Sequence, residues 1–133
     1  MSHAYAIAKL IAAQGLGVFN SQASADWSIN VGIEPDAPNR TITVYDTGGD
    51  GPDTDEMDLD RKTIQVRVRS HMRAEASAKI VAIRNYLLTK ESKVYETTRV
   101  YGAFVTTDTA EIGRDDNGRS IFTVNFRILS NEV

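Results

Sequence analysis

The residues of this sequence that are best able to do chemistry are acidic and lie together at 46–60, the acidic segment. It contains seven carboxylates, three glycines, one proline and no basic residue. The carboxylates are Asp46, Asp50, Asp53, Asp55, Glu56, Asp58 and Asp60. Carboxylate oxygens are ligands that Ca²⁺ prefers, so a cation site is the first chemistry to test.

The spacing of these carboxylates does not match the calcium-binding loop of EF-hand proteins. With Asp46 as the first ligand, the third position is Gly48 and the twelfth is Met57. The loop needs an oxygen ligand at the third position and a bidentate Glu at the twelfth. We therefore expect no built metal site. Weak binding of divalent ions stays open as an alternative to a solvated or partner-contacting loop.

Residue types that serve catalysis or hold cofactors are scarce elsewhere. The sequence has no cysteine, which excludes disulfides, thiolate metal sites and Cys nucleophiles. Its histidines, His3 and His71, are too few for a His-rich metal site. Phosphate-binding loops, nucleophile elbows and dinucleotide fingerprints are absent from the sequence. We expect no enzymatic activity and no cofactor.

Basic residues follow the acidic segment directly and form a basic strip. The strip comprises Arg61, Lys62, Arg67, Arg69 and Arg73. It has no interleaved aromatic residue on which bases could stack. The net charge of −3 also lacks the positive excess that duplex binding needs. We interpret the strip as a wet or partner-facing surface, with its four arginines as candidate interaction residues.

Apolar periodicity predicts the elements that position these charges. Alternation of period two predicts strands at 27–33, 40–45, 63–69, 99–107 and 120–129. Helical spacing predicts a short helix that begins at Ser2 and ends near Gly15, and a main helix over 70–90. The dipeptide Asn117-Gly118 predicts a turn that makes the last two strands an antiparallel hairpin.

The main helix carries two apolar stripes on nearly opposite sides. The first stripe is Met72, Ala76, Ile80, Ile83 and Leu87. The second stripe is Ala74, Ala78, Val81 and Leu88. A helix with two apolar stripes needs two partners. We expect the first stripe to face the sheet, and the second to lie under the N-terminal helix or at a subunit boundary.

Length and composition indicate one domain over 1–133, with an exposed acidic loop at 46–60. The chain has 133 residues and 41% apolar residues, which is enough for a single core. We expect an α+β fold, with a mostly antiparallel sheet and two helices packed on one face. No apolar run approaches the ~20 residues that cross a bilayer, so we expect no membrane span. The first residues show no basic stretch before an apolar core, so we also expect no secretory signal.

Four segments, taken in order, resemble one known family. They are ITVYDTGG at 42–49, IQVRVR at 64–69, the Ala-rich helix at 73–88, and IGRDDNGR at 112–119 running into IFTVNF at 121–126. Together these segments are similar to the small minor capsid or tail terminator proteins of long-tailed bacteriophages. The resemblance covers about residues 41–128 and depends on the order and spacing of the segments.

This resemblance implies a structural protein of the virion that is assembled in the host cytoplasm. It implies a hexameric ring at the head-proximal end of the tail tube, which ends tube polymerisation and docks the head connector. The implied partners are further copies of the chain, the tail tube protein and the head–tail connector protein, with DNA passing through the lumen only as cargo. A ring needs unlike patches on each subunit, and the acidic segment and the basic strip are the candidates.

Three alternatives remain open at this point. The chain could be a head–tail connector or another tail completion protein. It could also be a small enzyme or ligand-binding α+β domain, because such folds reuse the same elements. A calcium-dependent binding module would depend on the acidic segment alone. The mass in solution and the neighbouring genes would discriminate between these classes.

Overall fold

The computed structural model describes residues 3–49, 60–88 and 92–132. Its helices are α1 (His3–Ala13) and α2 (Arg73–Leu87). Its strands are β1 (Val18–Phe19), β2 (Ser28–Val31), β3 (Thr41–Gly49), β4 (Asp60–Ser70), β5 (Lys93–Tyr95), β6 (Thr98–Arg114) and β7 (Ser120–Glu132). The α+β class predicted from the sequence is confirmed.

All strands join one seven-stranded sheet in the order β1-β2-β3-β4-β7-β6-β5. The pairs β1–β2 and β2–β3 are parallel, and the other four pairs are antiparallel. The mostly antiparallel sheet is therefore as predicted. The edge strands β1 and β5 were not predicted, because two or three residues are too short to show a period.

The core lies on one face of this sheet. In the register of β4 and β7, Ile64 pairs with Phe126 and Val66 with Val124, and all four are buried. Apolar residues of both helices belong to the same cluster, including Ile7, Ile11, Ile80 and Ile83. Both helices thus pack on the core face. The opposite face, here the outer face, carries the arginines of β4 and β7.

Helix α1 lies between the two edges of a curled sheet. The ring of Tyr5 meets the ring of Phe19 in β1 edge-on, with centroids 5.7 Å apart. On its other side Tyr5 meets Tyr95 in β5, with centroids 6.1 Å apart. Since β1 and β5 are the outermost strands, the sheet curls around α1. The helix ends at Ala13, and Gly15 two residues later has a φ of 83°, which favours glycine.

Helix α2 buries only its first apolar stripe. Ile80, Ile83 and Leu87 are buried against the sheet, as predicted. Met72 was placed in that stripe wrongly, because the helix begins at Arg73 and Met72 is 63% exposed. The second stripe is open: Ala74, Ala78 and Leu88 are exposed, and Val81 is half-buried. Helix α1 does not cover this second stripe.

The predicted hairpin of the last two strands is confirmed, but β6 is longer than expected. It runs from Thr98 to Arg114, past the predicted end at residue 107. Four register shifts interrupt its pairing with β7. Most residues of the strand after 105 are exposed, so no apolar alternation predicted this part of the strand. At the turn, Gly118 has a φ of 73° and its N–H donates to the Asp115 carbonyl at 3.0 Å.

The acidic segment is partly strand. Residues 46–49 belong to β3 and Asp60 begins β4, so the predicted loop bounds of 46–60 were too wide. Gly49 pairs with Lys62, and a Cβ at Gly49 would lie 2.5 Å from the Arg61 carbonyl oxygen. That close approach requires glycine. Asp50, Asp53, Asp55, Glu56 and Asp58 lie outside the described residues.

Candidate functional site

Asp46, the first residue of the acidic segment, serves helix α1. Its Oδ1 accepts a hydrogen bond from the backbone N–H of Ala4 at 3.0 Å. The first N–H groups of a helix lack partners within the helix, and a carboxylate there also offsets the positive end of the helix dipole. Asp46 therefore fastens β3 to the start of α1. Ser2, the predicted cap, lies outside the described residues.

The middle of the predicted basic strip is used within the chain. Arg69 is 2% exposed, and its guanidinium donates to the Pro38 carbonyl at 2.8 Å and to Glu34 Oε1 at 3.2 Å. Arg67 Nε lies 2.8 Å from Glu34 Oε2, an ion pair. Burial, with the neighbouring Arg119, lowers the pKa of Arg69, and Glu34 opposes that shift. Arg69 is thus not an accessible contact residue.

Arg119 is a second buried arginine, which the sequence did not single out. It is 3% exposed. Its Nε donates to Asp115 Oδ2 at 2.7 Å and its Nη2 to Asp36 Oδ1 at 3.0 Å. The spacing of Asp115 and Arg119 around the turn could have predicted that these two residues pair. The contact between Arg119 and Asp36 joins residues 83 positions apart, so the sequence could not have predicted it.

These residues form one arginine cluster: Arg67, Arg69 and Arg119 with Glu34, Asp36 and Asp115. Its three guanidinium groups and three carboxylates balance in charge. The carboxylates Glu34 and Asp36 belong to the connection from β2 to β3. The cluster holds that connection on the outer face. It has no surplus positive charge with which to bind an anion.

Arg73, at the other end of the basic strip, stays on the surface. Its side chain is 61% exposed, and Nε lies 2.9 Å from Glu111 Oε2 of β6. Farther along α2, Arg84 Nη1 lies 3.0 Å from Asp108 Oδ1. Two exposed ion pairs therefore tie α2 to the outer half of β6. Such surface pairs contribute about 1 kcal/mol or less each.

Arg61 takes part in a groove on the outer face. Arg61 pairs with Leu129 and Phe104 with Arg127 in the strand registers, so these four residues are neighbours. With Val105 and Thr106 they line a depression of about 530 Å³. Phe104 is 57% exposed. No carboxylate of the described residues lines this outer-face groove.

Neither histidine gathers a metal-binding set. His3 hydrogen-bonds to Ser130 Oγ, and His71 borders a shallow depression beside Glu75. Glu75 pairs with Arg40 at 2.8 Å and accepts a hydrogen bond from Ser70 Oγ at 2.6 Å. Over residues 3–49, 60–88 and 92–132, no group of three or more His, Asp or Glu could hold a metal ion.

The described helices are also too short and too polar to cross a bilayer. What the geometry offers is surface: an open stripe on α2 and a basic, partly apolar groove on the outer face. Both suit contact with another protein. The candidate functional site is therefore a pair of contact surfaces.

Comparison with known proteins identifies the family of the chain. The family model of the bacteriophage tail terminator protein matches residues 10–131, which include nearly the whole fold. No curated protein matches the chain at a significant level. The match confirms the resemblance seen in the sequence and makes the chain a structural component of the phage tail, and so of the virion. The chain belongs to the bacteriophage tail terminator protein family.

Proposed function

We propose that this chain forms a hexameric ring at the head-proximal end of the tail tube, where it ends tube polymerisation and docks the head connector. The observation that carries the proposal is the family match over residues 10–131. Its partners are further copies of itself, the tail tube protein and the head–tail connector protein. The ring has no enzymatic role, and it assembles in the host cytoplasm.

The open stripe of α2 supports self-association. Leu88 is 41% exposed, and the exposed Ala74 and Ala78 let another backbone approach closely. A soluble chain gains by covering apolar surface of this kind. In a ring, one surface of each subunit meets a different surface of the next. The stripe is one such surface.

Charge supports a second contact between copies. We assign the acidic segment to one side of this contact and two arginines of the basic strip to the other, the half-buried Arg61 and the exposed Arg73. Arg67 and Arg69 act indirectly, because they hold the connection from β2 to β3 in place. Contacts between unlike charges set the register of an interface and speed its formation.

The surplus of carboxylates suits a ring through which DNA passes as cargo. A protein binds DNA by placing Lys and Arg against phosphates and releasing counterions. Carboxylates facing the lumen make no such contacts, so the genome would slide past them. We place the acidic segment at the lumen edge or facing the tube.

The proposal is tested by removing the gene from the phage and measuring tails by electron microscopy. We expect tails of uncontrolled length without heads, and recovery of normal particles when the chain is supplied from a plasmid. Tails of normal length that fail to join heads would indicate a connector instead. Normal, infectious particles without the chain would refute a structural role at this position.

A further inference from the structure

The surface around the outer-face groove is basic and partly aromatic. Phe104 pairs with Arg127, and both line the groove. Arg99 pairs with Asn131, four residues after Arg127 in β7, so the period of two places Arg99 on the same face. Arg99 and Arg127 make no ion pair within the described residues. Phe104 is 57% exposed, and Tyr101, beside the Arg99 guanidinium, is 40% exposed. Because an arginine buried without a partner is costly, a protein that covers these rings has to bring carboxylates.

A depression near the turn of the hairpin has the opposite charge. Residues of the arginine cluster line it together with Asp116 and Asn117, and it is called the acidic depression here. Asp116 is exposed and makes no ion pair within the described residues. It is a fourth carboxylate beside the three guanidinium groups of the cluster. Asp36 pairs with Arg119, yet its side chain is 89% exposed. The acidic depression therefore presents two carboxylates to solvent.

The groove and the acidic depression lie at opposite ends of the hairpin, on one face of the sheet. The groove is centred where Val105 pairs with Phe126, whereas the turn follows the pair of Arg114 and Ser120. The six residues of β7 between Ser120 and Phe126 span about 20 Å. One chain cannot bring these two surfaces together. Two copies that are shifted along the strands can do so.

We propose that the outer-face groove of one copy receives the acidic depression of a second copy. This inference rests on the proposed function, because a ring needs two unlike patches on every subunit. The contact places exposed carboxylates against arginines that have no ion pair: Asp36 and Asp116 against Arg99 and Arg127. Unlike charges fix the register of such a contact.

An exposed apolar side chain accompanies the charge at each of the two surfaces. Ile33, the residue before Glu34 of the acidic depression, is 76% exposed. Phe104 in the groove is 57% exposed. Covering both apolar groups in one contact adds a favourable contribution to that of the ion pairs.

Arg114, an exposed cation near the turn, does not oppose this contact. Arg114 pairs with Ser120, which lies two residues before the buried Phe122 in β7. Residues that lie directly opposite each other, or two apart in one strand, share a face. Arg114 is therefore on the core-face side of the sheet, whereas Asp116 borders the acidic depression on the outer face.

Cysteine cross-linking tests the contact, since the natural chain has no cysteine. The variant Thr106→Cys/Asn117→Cys places one thiol in the groove and one at the acidic depression, both at exposed positions. A disulfide needs Cα atoms within about 7 Å, so these two thiols cannot bond within one chain. After oxidation of protein assembled on tail tubes, we expect covalent chains longer than dimers. The control Thr106→Cys/Gln14→Cys moves the second thiol to the exposed end of α1 and should give about a tenth of that product or less.

Three results would overturn the proposal. Covalent dimers without longer chains would show a reciprocal contact between two copies, which cannot propagate around a ring. Assembled rings that yield no covalent chains would place the contact elsewhere while leaving the proposed function intact. Failure of the natural chain to form any ring, even on tubes, would refute the proposed function as well.

Charge reversal gives an independent measurement. We expect Arg127→Asp to raise the protein concentration for half-maximal assembly about tenfold, a typical effect of reversing an interface charge. The control Arg114→Asp makes the same change of net charge outside the contact and should weaken assembly less than about twofold. Adding Asp116→Arg to Arg127→Asp should restore assembly to within about threefold, because the ion pair is then exchanged. Equal effects of Arg127→Asp and Arg114→Asp would contradict the proposal.

Discussion

Replacement of Phe126 by alanine should separate the stability of the fold from its assembly. Phe126 is 0% exposed and is the largest fully buried side chain of the described residues. It pairs with Ile64 on one side and Val105 on the other. Removing the phenyl group leaves a cavity between the sheet and the helices, and the rigid sheet cannot collapse to fill that cavity. We expect a loss of about 3 to 5 kcal/mol of unfolding free energy.

For a domain of 133 residues, that loss lowers the thermal midpoint by about 10 to 18 °C. The matched control is Phe104→Ala, the same substitution in the neighbouring strand of the hairpin. Because Phe104 is more than half exposed, its loss should cost about 1 kcal/mol or less.

Circular dichroism during heating measures both variants, and sedimentation on tail tubes measures assembly. Phe104→Ala should lower the thermal midpoint by no more than a few degrees while weakening assembly, whereas Phe126→Ala should lower the midpoint by about 10 to 18 °C. Equal midpoints for the two variants would refute the placement of Phe126 on the core face and Phe104 on the outer face.

Three further predictions concern the second stripe of α2, the acidic segment and the arginine cluster. Val81→Asp should leave the monomer folded, because Val81 is only half-buried, but should abolish rings seen by electron microscopy; normal rings would show that the stripe stays in solvent. Deleting residues 51–58 should leave the thermal midpoint nearly unchanged, since the entropic cost of closing a connection changes only slowly with its length, while impairing ring closure; tails of normal length would contradict this. Burial alone would raise the pKa of Asp115, but hydrogen bonds from Arg119 and Asn117 outweigh it and lower the pKa overall. A carboxylate whose folded-state pKa lies below its unfolded value stabilises the fold above about pH 4, and this stabilisation is lost as the pH falls through the folded-state pKa. Urea unfolding of Asp115→Asn should therefore show a smaller decrease of unfolding free energy on acidification than the natural chain shows.

The elements that the sequence predicted are those whose apolar period is long and uninterrupted. Strand β4 alternates over Ile64, Val66 and Val68, and each of these residues is buried. The first stripe of α2 was predicted for the same reason. The part of β6 after residue 107 was not predicted. A residue gained at each bulge shifts the alternation, and this part of the strand has no apolar face. Periodicity detects burial, so it misses strands that are exposed.

The sequence predicted which charged residues lie near each other along the chain, but not which of them pair. The sequence showed that arginines cluster around β4, but it did not show that Glu34 lies over Arg67 and Arg69. That contact joins residues more than thirty positions apart and depends on how the connection from β2 to β3 folds back. Asp46 was misassigned to a loop for a similar reason, since its partner Ala4 is 42 positions away. Pairing of distant charges is a property of the fold.

The buried arginines and Arg127 differ in whether a carboxylate of the described residues meets their positive charge. Burying a charge without a partner costs several kcal/mol, so Arg69 and Arg119 are found only where carboxylates of the same chain meet them. Arg127 stays in solvent, where an unpaired charge costs little, and it lies beside an exposed phenyl ring. The sheet therefore holds its connection from β2 to β3 with buried, paired arginines, and it leaves the charge of Arg127 in solvent.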